Sequence, residues 1–167
     1  QNPFVIFPDV ADFYKDVLRK KTEAAKARKE EEKRWAKENP VLAQKLEMFF
    51  SGKPPVIDFN QIPQKDDIAT RAASGNVLAY LAKNVENMIV ASADLSNSDK
   101  TDGFLKNTKA FRKADFSGAF LQVGVSELTM GAIANGIALH GGVIVACGTF
   151  FVFSDYMKPA VRLAALM

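Results

Sequence analysis

Glu127 lies where a short apolar run, Phe120–Val123, gives way through Gly124, Val125 and Ser126 to a helical pattern. One strand further on, Phe150, Phe153 and Tyr156 follow at spacings of three. In an α/β fold both places fall at the carboxyl ends of parallel strands, where ligands bind. Leu121, Val123, Val125, Leu128 and Met130 surround the acid in sequence. An apolar setting of that kind raises a carboxyl pKa and lets the group share or donate a proton. The chemistry expected is therefore a flat heteroaromatic ring held against aromatic faces while one carboxylate touches its edge.

Each feature has a plainer alternative. An acid in the first turn of a helix is favoured by the macrodipole whether or not it does chemistry. Aromatics at i, i+3 and i+6 also describe one core-facing helical stripe. His140 is the single histidine; it ends the helical pattern that Glu127 begins and suits the negative helix terminus. With no second histidine, a multi-histidine metal site is excluded, and a Ser/His/Asp nucleophile is not expected.

The elements that must position these groups alternate. Asp66-Asp67 is expected to cap a helix from Ile68 to about Lys83, with Ile68, Ala72, Val77, Leu78 and Leu81 facing inward. Met88–Ser92 reads as a buried parallel strand. Asp94–Gly103 reads as a polar loop whose acids lack the spacing of a calcium loop. Phe120–Val123 is the next strand, Glu127–Leu139 a helix with Ser126 as cap and Gly141-Gly142 as its stop, and Val143–Cys147 a third strand. A final helix runs from Phe150 to Met167, with a break expected at Pro159. This order indicates a doubly wound, mostly parallel α/β sheet. Three strands are few for such a sheet, so it is expected to be incomplete at the C-terminal end.

Residues 1–65 have a different character. Asp9 is a candidate cap for a stripe of Val10, Phe13, Tyr14, Val17 and Leu18. Arg19–Glu38 then interleaves both signs of charge, which describes a solvated helix rather than a nucleic-acid arm. Asn39-Pro40 restarts a helix that stops at Gly52, and Lys53 to Pro63 reads as extended linker. The division expected is a mostly helical linker over 1–65 and a partial α/β domain over 66–167.

Composition narrows the class. A chain of 167 residues with 48% hydrophobic and 25% charged residues has room for one domain with a real core. The net charge of +3 does not call for nucleic acid, though a mild positive bias suits phosphorylated small molecules. The one cysteine, Cys147, excludes an intrachain disulfide framework and fits a reducing compartment. No apolar run approaches a membrane span, and the first residues lack a secretory layout. A cytoplasmic origin is expected, as a piece of a longer polypeptide.

Four blocks in order carry a resemblance: ATRAASGNVL from Ala69, SADLSNS from Ser92, VGVSELTMGAIANGIALHGG from Val123 and GTFFVFSDYMKPAVRLAAL from Gly148. Over about residues 66–167 the chain resembles transketolase, namely the first half of its pyrimidine-binding domain, with the interdomain linker in front. The resemblance implies a fold of the thiamine-diphosphate-binding pyrimidine module and transfer of a two-carbon ketol unit between ketose and aldose phosphates in the pentose phosphate pathway. A glutamate at the position of Glu127 hydrogen-bonds the aminopyrimidine ring nitrogen in that family and favours its imino tautomer. Phe150, Phe153 and Tyr156 correspond to the pyrimidine pocket, and Asp94 to a residue near the cofactor. Arg71 and Ser98 correspond to the pair that holds the substrate's phosphate, Arg71 through a forked guanidinium. The implied cofactors are thiamine diphosphate and Mg2+, the metal bound through a domain outside this chain. The implied partner is the diphosphate-binding domain of a second subunit in a homodimer.

The departures from the family pattern are specific. Ser126 and Leu128 replace the Arg before and the His after the glutamate, and Cys147-Gly148-Thr149-Phe150 replaces Gly-Gly-Thr-Phe. The Gly-Asp-Gly motif followed by Asn and the family's catalytic histidines are absent from these residues. The chain alone is thus expected to supply half a site and to be inactive. The competing readings are a non-catalytic assembly domain and a sister thiamine-diphosphate enzyme such as deoxyxylulose-phosphate synthase.

Overall fold

A computed structural model describes residues 3–167 and divides the chain into two compact units, 1–47 and 48–167. The first holds one long helix, α1 (Pro8–Glu38), and most of α2 (Pro40–Phe50). Pro8 rather than Asp9 opens α1: Phe7 is the cap position and Asp9 falls in the first turn, where proline's fixed φ and an acid are both favoured. No residue of α1 is buried, and its apolar stripe leaves Phe13, Tyr14 and Leu18 exposed. Its charges pair along the surface, as in Asp16 with Arg19 and Lys20, and Glu30 with Lys33. Such exposed pairs contribute little to stability.

The second unit is a parallel sheet with helices on both faces. Its strands are β1 (Met88–Ser92), β2 (Phe120–Gln122) and β3 (Ile144–Gly148), in the order β2-β1-β3. Val90 pairs with Phe120 on one side and Ala146 on the other. The helices are α3 (Thr70–Asn84), the single turns α4 (Ser96–Asp99) and α5 (Asp102–Leu105), then α6 (Glu127–His140) and α7 (Ser154–Leu166).

Strand alternation sorts the core into two layers. Met88 and Val90 point to the layer of Val85, Phe104 and Phe120, closed by Leu78 and Leu81 of α3. Ala91 points to the opposite layer, with Ala93, Met130 of α6 and Met157 of α7. Burying side chains such as Phe120 and Val90 stabilises the fold by about 1.5–3 kcal/mol each. The fold is the doubly wound α/β arrangement expected from the alternation of elements.

Three local expectations change. The α3 helix starts after Ala69, not at the Asp66-Asp67 pair, and Asp67 instead turns the chain with φ 55°. The loop after β1 contains α4 and α5, joined through the left-handed Lys100. Pro159 does not break α7. A proline six residues into a helix removes the hydrogen bond to the carbonyl four residues back, that of Asp155, and crowds that carbonyl. Met157 and Ala160, both buried on either side of it, hold the helix against α6. There the Cβ that Gly131 lacks would come 2.9 Å from Ala160 Cβ.

Candidate functional site

Glu127 is positioned by a tight strand-to-helix turn. The Val123 N–H donates to the Ser92 carbonyl at 3.2 Å, Gly124 takes φ 70°, and the Ser126 N–H donates back to the Gly124 carbonyl at 2.8 Å. Ser126 occupies the cap position of α6, but its hydroxyl donates to Thr129 Oγ1 at 2.6 Å and caps no backbone group. Glu127, Met130 and Gly131 form the buried stripe of the helix, the three- and four-residue spacing that puts side chains on one face. Glu127 is only 7% exposed. Its carboxylate has no hydrogen-bond or ion-pair partner among the described residues. The apolar setting is one-sided: Leu121 and Val123 pack in the core layer near Met130, while Val125 and Leu128 are exposed.

The aromatic run begins where β3 ends. Phe150 precedes a 3-10 turn, Phe151–Phe153, that leads directly into α7. Phe150 and Phe153 have ring centroids 6.2 Å apart, tilted by 49°. Phe153 and Tyr156 are also 6.2 Å apart and nearly parallel. Phe150 and Phe153 are half-buried and Tyr156 is exposed, so the run is not a core stripe of this chain. Because the strands are parallel, Asp94 after β1, Glu127 after β2 and the aromatics after β3 all follow the same edge of the sheet. Asp94 is exposed and held at φ 64°.

Arg71 and Ser98 are brought together across 27 residues: Arg71 Nη1 donates to the Ser98 carbonyl at 3.3 Å. Beside them is a cavity of about 640 Å³ lined by Arg71, Asp99, Thr101, Gly148, Thr149 and Phe150, among others. Arg71 and Phe150 therefore share a cavity; Glu127 is not among its walls. Another depression, on α7 around Lys158 and Arg162, holds none of the candidate residues.

Three residues of the cavity wall escaped the sequence reading. Asp99 accepts hydrogen bonds from Ser92 Oγ at 2.9 Å and from both the N–H and the Oγ1 of Thr101 at 2.8 Å. The Asp-Lys-Thr spacing of 99–101 was the available signal, since an aspartate bonding two residues on forms an Asx-turn. Thr149 Oγ1 is buried and has no hydrogen-bond partner among the described residues; the sequence marks it only as part of the Gly-Thr-Phe run, with no role attached.

The buried acid without a partner and the exposed aromatic step fit the aminopyrimidine part of thiamine diphosphate. A largely covered acid with no partner among the described residues leaves its hydrogen-bonding capacity open to a polar group from outside. No group of three or more His, Cys, Asp or Glu side chains that could hold a metal occurs among the described residues. None of their helices is long and apolar enough to cross a membrane.

The transketolase pyrimidine-binding domain family matches residues 66–167. A Bacillus subtilis transketolase is 47% identical over 131 residues, covering 77% of this chain and 19% of its own. One from Halalkalibacterium halodurans is 40% identical and matches 100% of this chain and 25% of its own. Among solved structures, the transketolase of Leishmania mexicana superposes with a TM-score of 0.86 at 31% identity, over 99% of this chain and 25% of that one. A Pichia stipitis transketolase, crystallised with sedoheptulose 7-phosphate, gives 0.83 at 32% identity, over 98% and 25%. The chain thus spans about a quarter of the length of these relatives, and across that quarter sequence and fold agree: it belongs to the transketolase family, and its residues 66–167 are pyrimidine-binding-domain sequence.

Proposed function

We propose that this chain supplies the pyrimidine-side half of a transketolase active site. In that role it serves transfer of a two-carbon ketol unit from a ketose phosphate to an aldose phosphate, as in the pentose phosphate pathway of the cytoplasm. The observation that carries the proposal is Glu127, buried at the start of α6 without a hydrogen-bond or ion-pair partner among the described residues. A capping acid would bond the helix N–H groups; this one bonds none of them, and its side chain is largely covered.

Thiamine diphosphate, when bound, supplies the carbanion chemistry, and the protein positions and polarises it. Glu127 would hold a proton at the pyrimidine edge, in a site whose cover strengthens that hydrogen bond. Phe150, Phe153 and Tyr156 would offer faces to the ring, and Asp94 would support the cofactor from the loop after β1. Arg71 and Ser98 would bind the sugar phosphate. The guanidinium already leans on the Ser98 carbonyl, and the rest of its planar fork suits a phosphate. Mg2+ and the diphosphate would be held by a domain of a partner subunit in a homodimer.

The test is calorimetry with thiamine diphosphate and Mg2+ on a complete transketolase polypeptide bearing this chain, together with turnover of xylulose 5-phosphate and ribose 5-phosphate. Magnesium-dependent binding with turnover is expected. Binding without turnover of these sugars would point to a sister thiamine-diphosphate enzyme. No binding would leave the chain an assembly domain.

A further inference from the structure

One carboxylate holds the loop after β1 shut at both ends, and the roles assigned above leave it unused. Ser92, the last residue of β1 and 1% exposed, donates its hydroxyl hydrogen to Asp99 Oδ2, while the Leu95 N–H donates to the same Ser92 oxygen at 3.3 Å. Both donors of Thr101 converge on Asp99 Oδ1. Three donors on one ionised acid make charge-assisted bonds, stronger than neutral ones. They pin the loop to the end of the central strand.

The same loop is gripped from the other side by α3. Gly75 lies four residues after Arg71, on the same helical face. A Cβ on Gly75 would stand 3.0 Å from Lys100 Cβ and 3.2 Å from the Lys100 carbonyl. Lys100 turns the chain with φ 68°, and its ammonium donates to the Asn97 carbonyl at 2.6 Å. Glycine at 75 thus lets α3 close on the loop, and one turn earlier Arg71 reaches Ser98, the residue just before Asp99.

We infer that Asp99 is a positioning residue for the sugar-phosphate half-site. Clamped between Ser92 and Thr101, it fixes the Ser98 carbonyl against which the Arg71 guanidinium is held, and so sets the affinity for the substrate's phosphate. The inference rests on the phosphate role proposed for Arg71 and Ser98. Asp99 acts through those residues: its own two oxygens are taken up by Ser92 and Thr101.

The experiment compares Asp99→Ala, Asp99→Asn and Arg71→Ala in a complete transketolase polypeptide bearing this chain, with xylulose 5-phosphate and with unphosphorylated xylulose as donors. Asp99→Ala should raise KM for the phosphorylated donor about tenfold, with kcat and the xylulose reaction within about threefold of the parent. Asp99→Asn should stay near the parent, because the amide keeps one oxygen for Thr101 and its N–H can donate to Ser92 Oγ. If Asp99→Ala does not fold, Thr101→Val removes one of the three donors and should raise the same KM by about threefold. An unchanged KM in these variants overturns the inference. So does an equal loss with both donors that Asp99→Asn does not restore, the mark of a general structural role. If Arg71→Ala also leaves KM for xylulose 5-phosphate unchanged, the phosphate reading itself fails. If only Arg71→Ala raises it, the clamp alone is rejected.

Discussion

The rings of Phe153 and Tyr156 lie 6.2 Å apart and within 22° of parallel, yet Tyr156 is 64% exposed. They stand three residues apart across the start of α7, so the helix presents a flat aromatic step at the carboxyl edge of the sheet. A stacked pair with one member in solvent buries little area within its own chain. Its geometry gains value when a third flat group or another subunit covers it.

Replacing Phe153 by Ala removes the middle ring of the run. In a complete transketolase polypeptide bearing this chain, the Kd for thiamine diphosphate should rise about three- to tenfold, the worth of one aromatic contact beyond area burial. Calorimetry reads the change. Unaltered affinity would place the cofactor away from this step.

Changing Glu127 to Gln keeps the shape of the side chain and removes its ability to exchange a proton. Ketol transfer should fall by about a hundredfold or more, while the thermal unfolding midpoint stays near the parent's because the carboxylate has no partner among the described residues to lose. Steady-state kinetics beside a melting curve separates the two effects.

Gly131 is the point where α6 touches α7. A valine there meets Ala160 Cβ and, within 3.3 Å, the end of Met157. The side chain of Met157 can swing aside, but Ala160 can yield only by moving its helix. Overpacking of this kind costs about 1–3 kcal/mol, and the denaturant midpoint of Gly131→Val should drop accordingly with its slope unchanged.

Asp115 carries the clearest pH signature. Hydrogen bonds from Ser117 and then Lys109 lower its carboxyl from the ordinary 3.8 to about 2. A group lowered in the folded state contributes stability fully above its unfolded value, and that contribution is lost as pH falls through the folded one. The turn closed by the Arg112–Asp115 bridge should therefore keep its clamp down to pH 3.8 and lose it toward pH 2. A carboxyl-carbon NMR titration of Asp115 checks this; a midpoint near 3.8 would show the clamp unformed in solution.

The pattern of elements was legible in the chain because local rules write it. The β-branched run of β1 and the glycines after His140 carry strand and stop signals that need no distant partner. The spacing of Glu127 from the aromatic run was legible for the same reason. Where the chain departs from that reading, a distant contact decides. Pro159 by itself signals a break, but burial of Met157 and Ala160 against α6 outweighs one lost hydrogen bond. Val125 and Leu128 read as cover for the acid, yet the turn at Gly124 leaves both in solvent.

The sequence by itself determined the alternation of strands and helices, the edge of the sheet where the chemistry-bearing residues fall, and the family. Only the tertiary structure decided that Ser92 and Asp99 would meet, that Arg71 would reach Ser98, and that Glu127 would be buried without a partner among the described residues. The reason is physical. Periodicity and turn chemistry act over a few residues, whereas a hydrogen bond spanning 27 positions exists only after the sheet and α3 have packed and brought both ends within 3.3 Å.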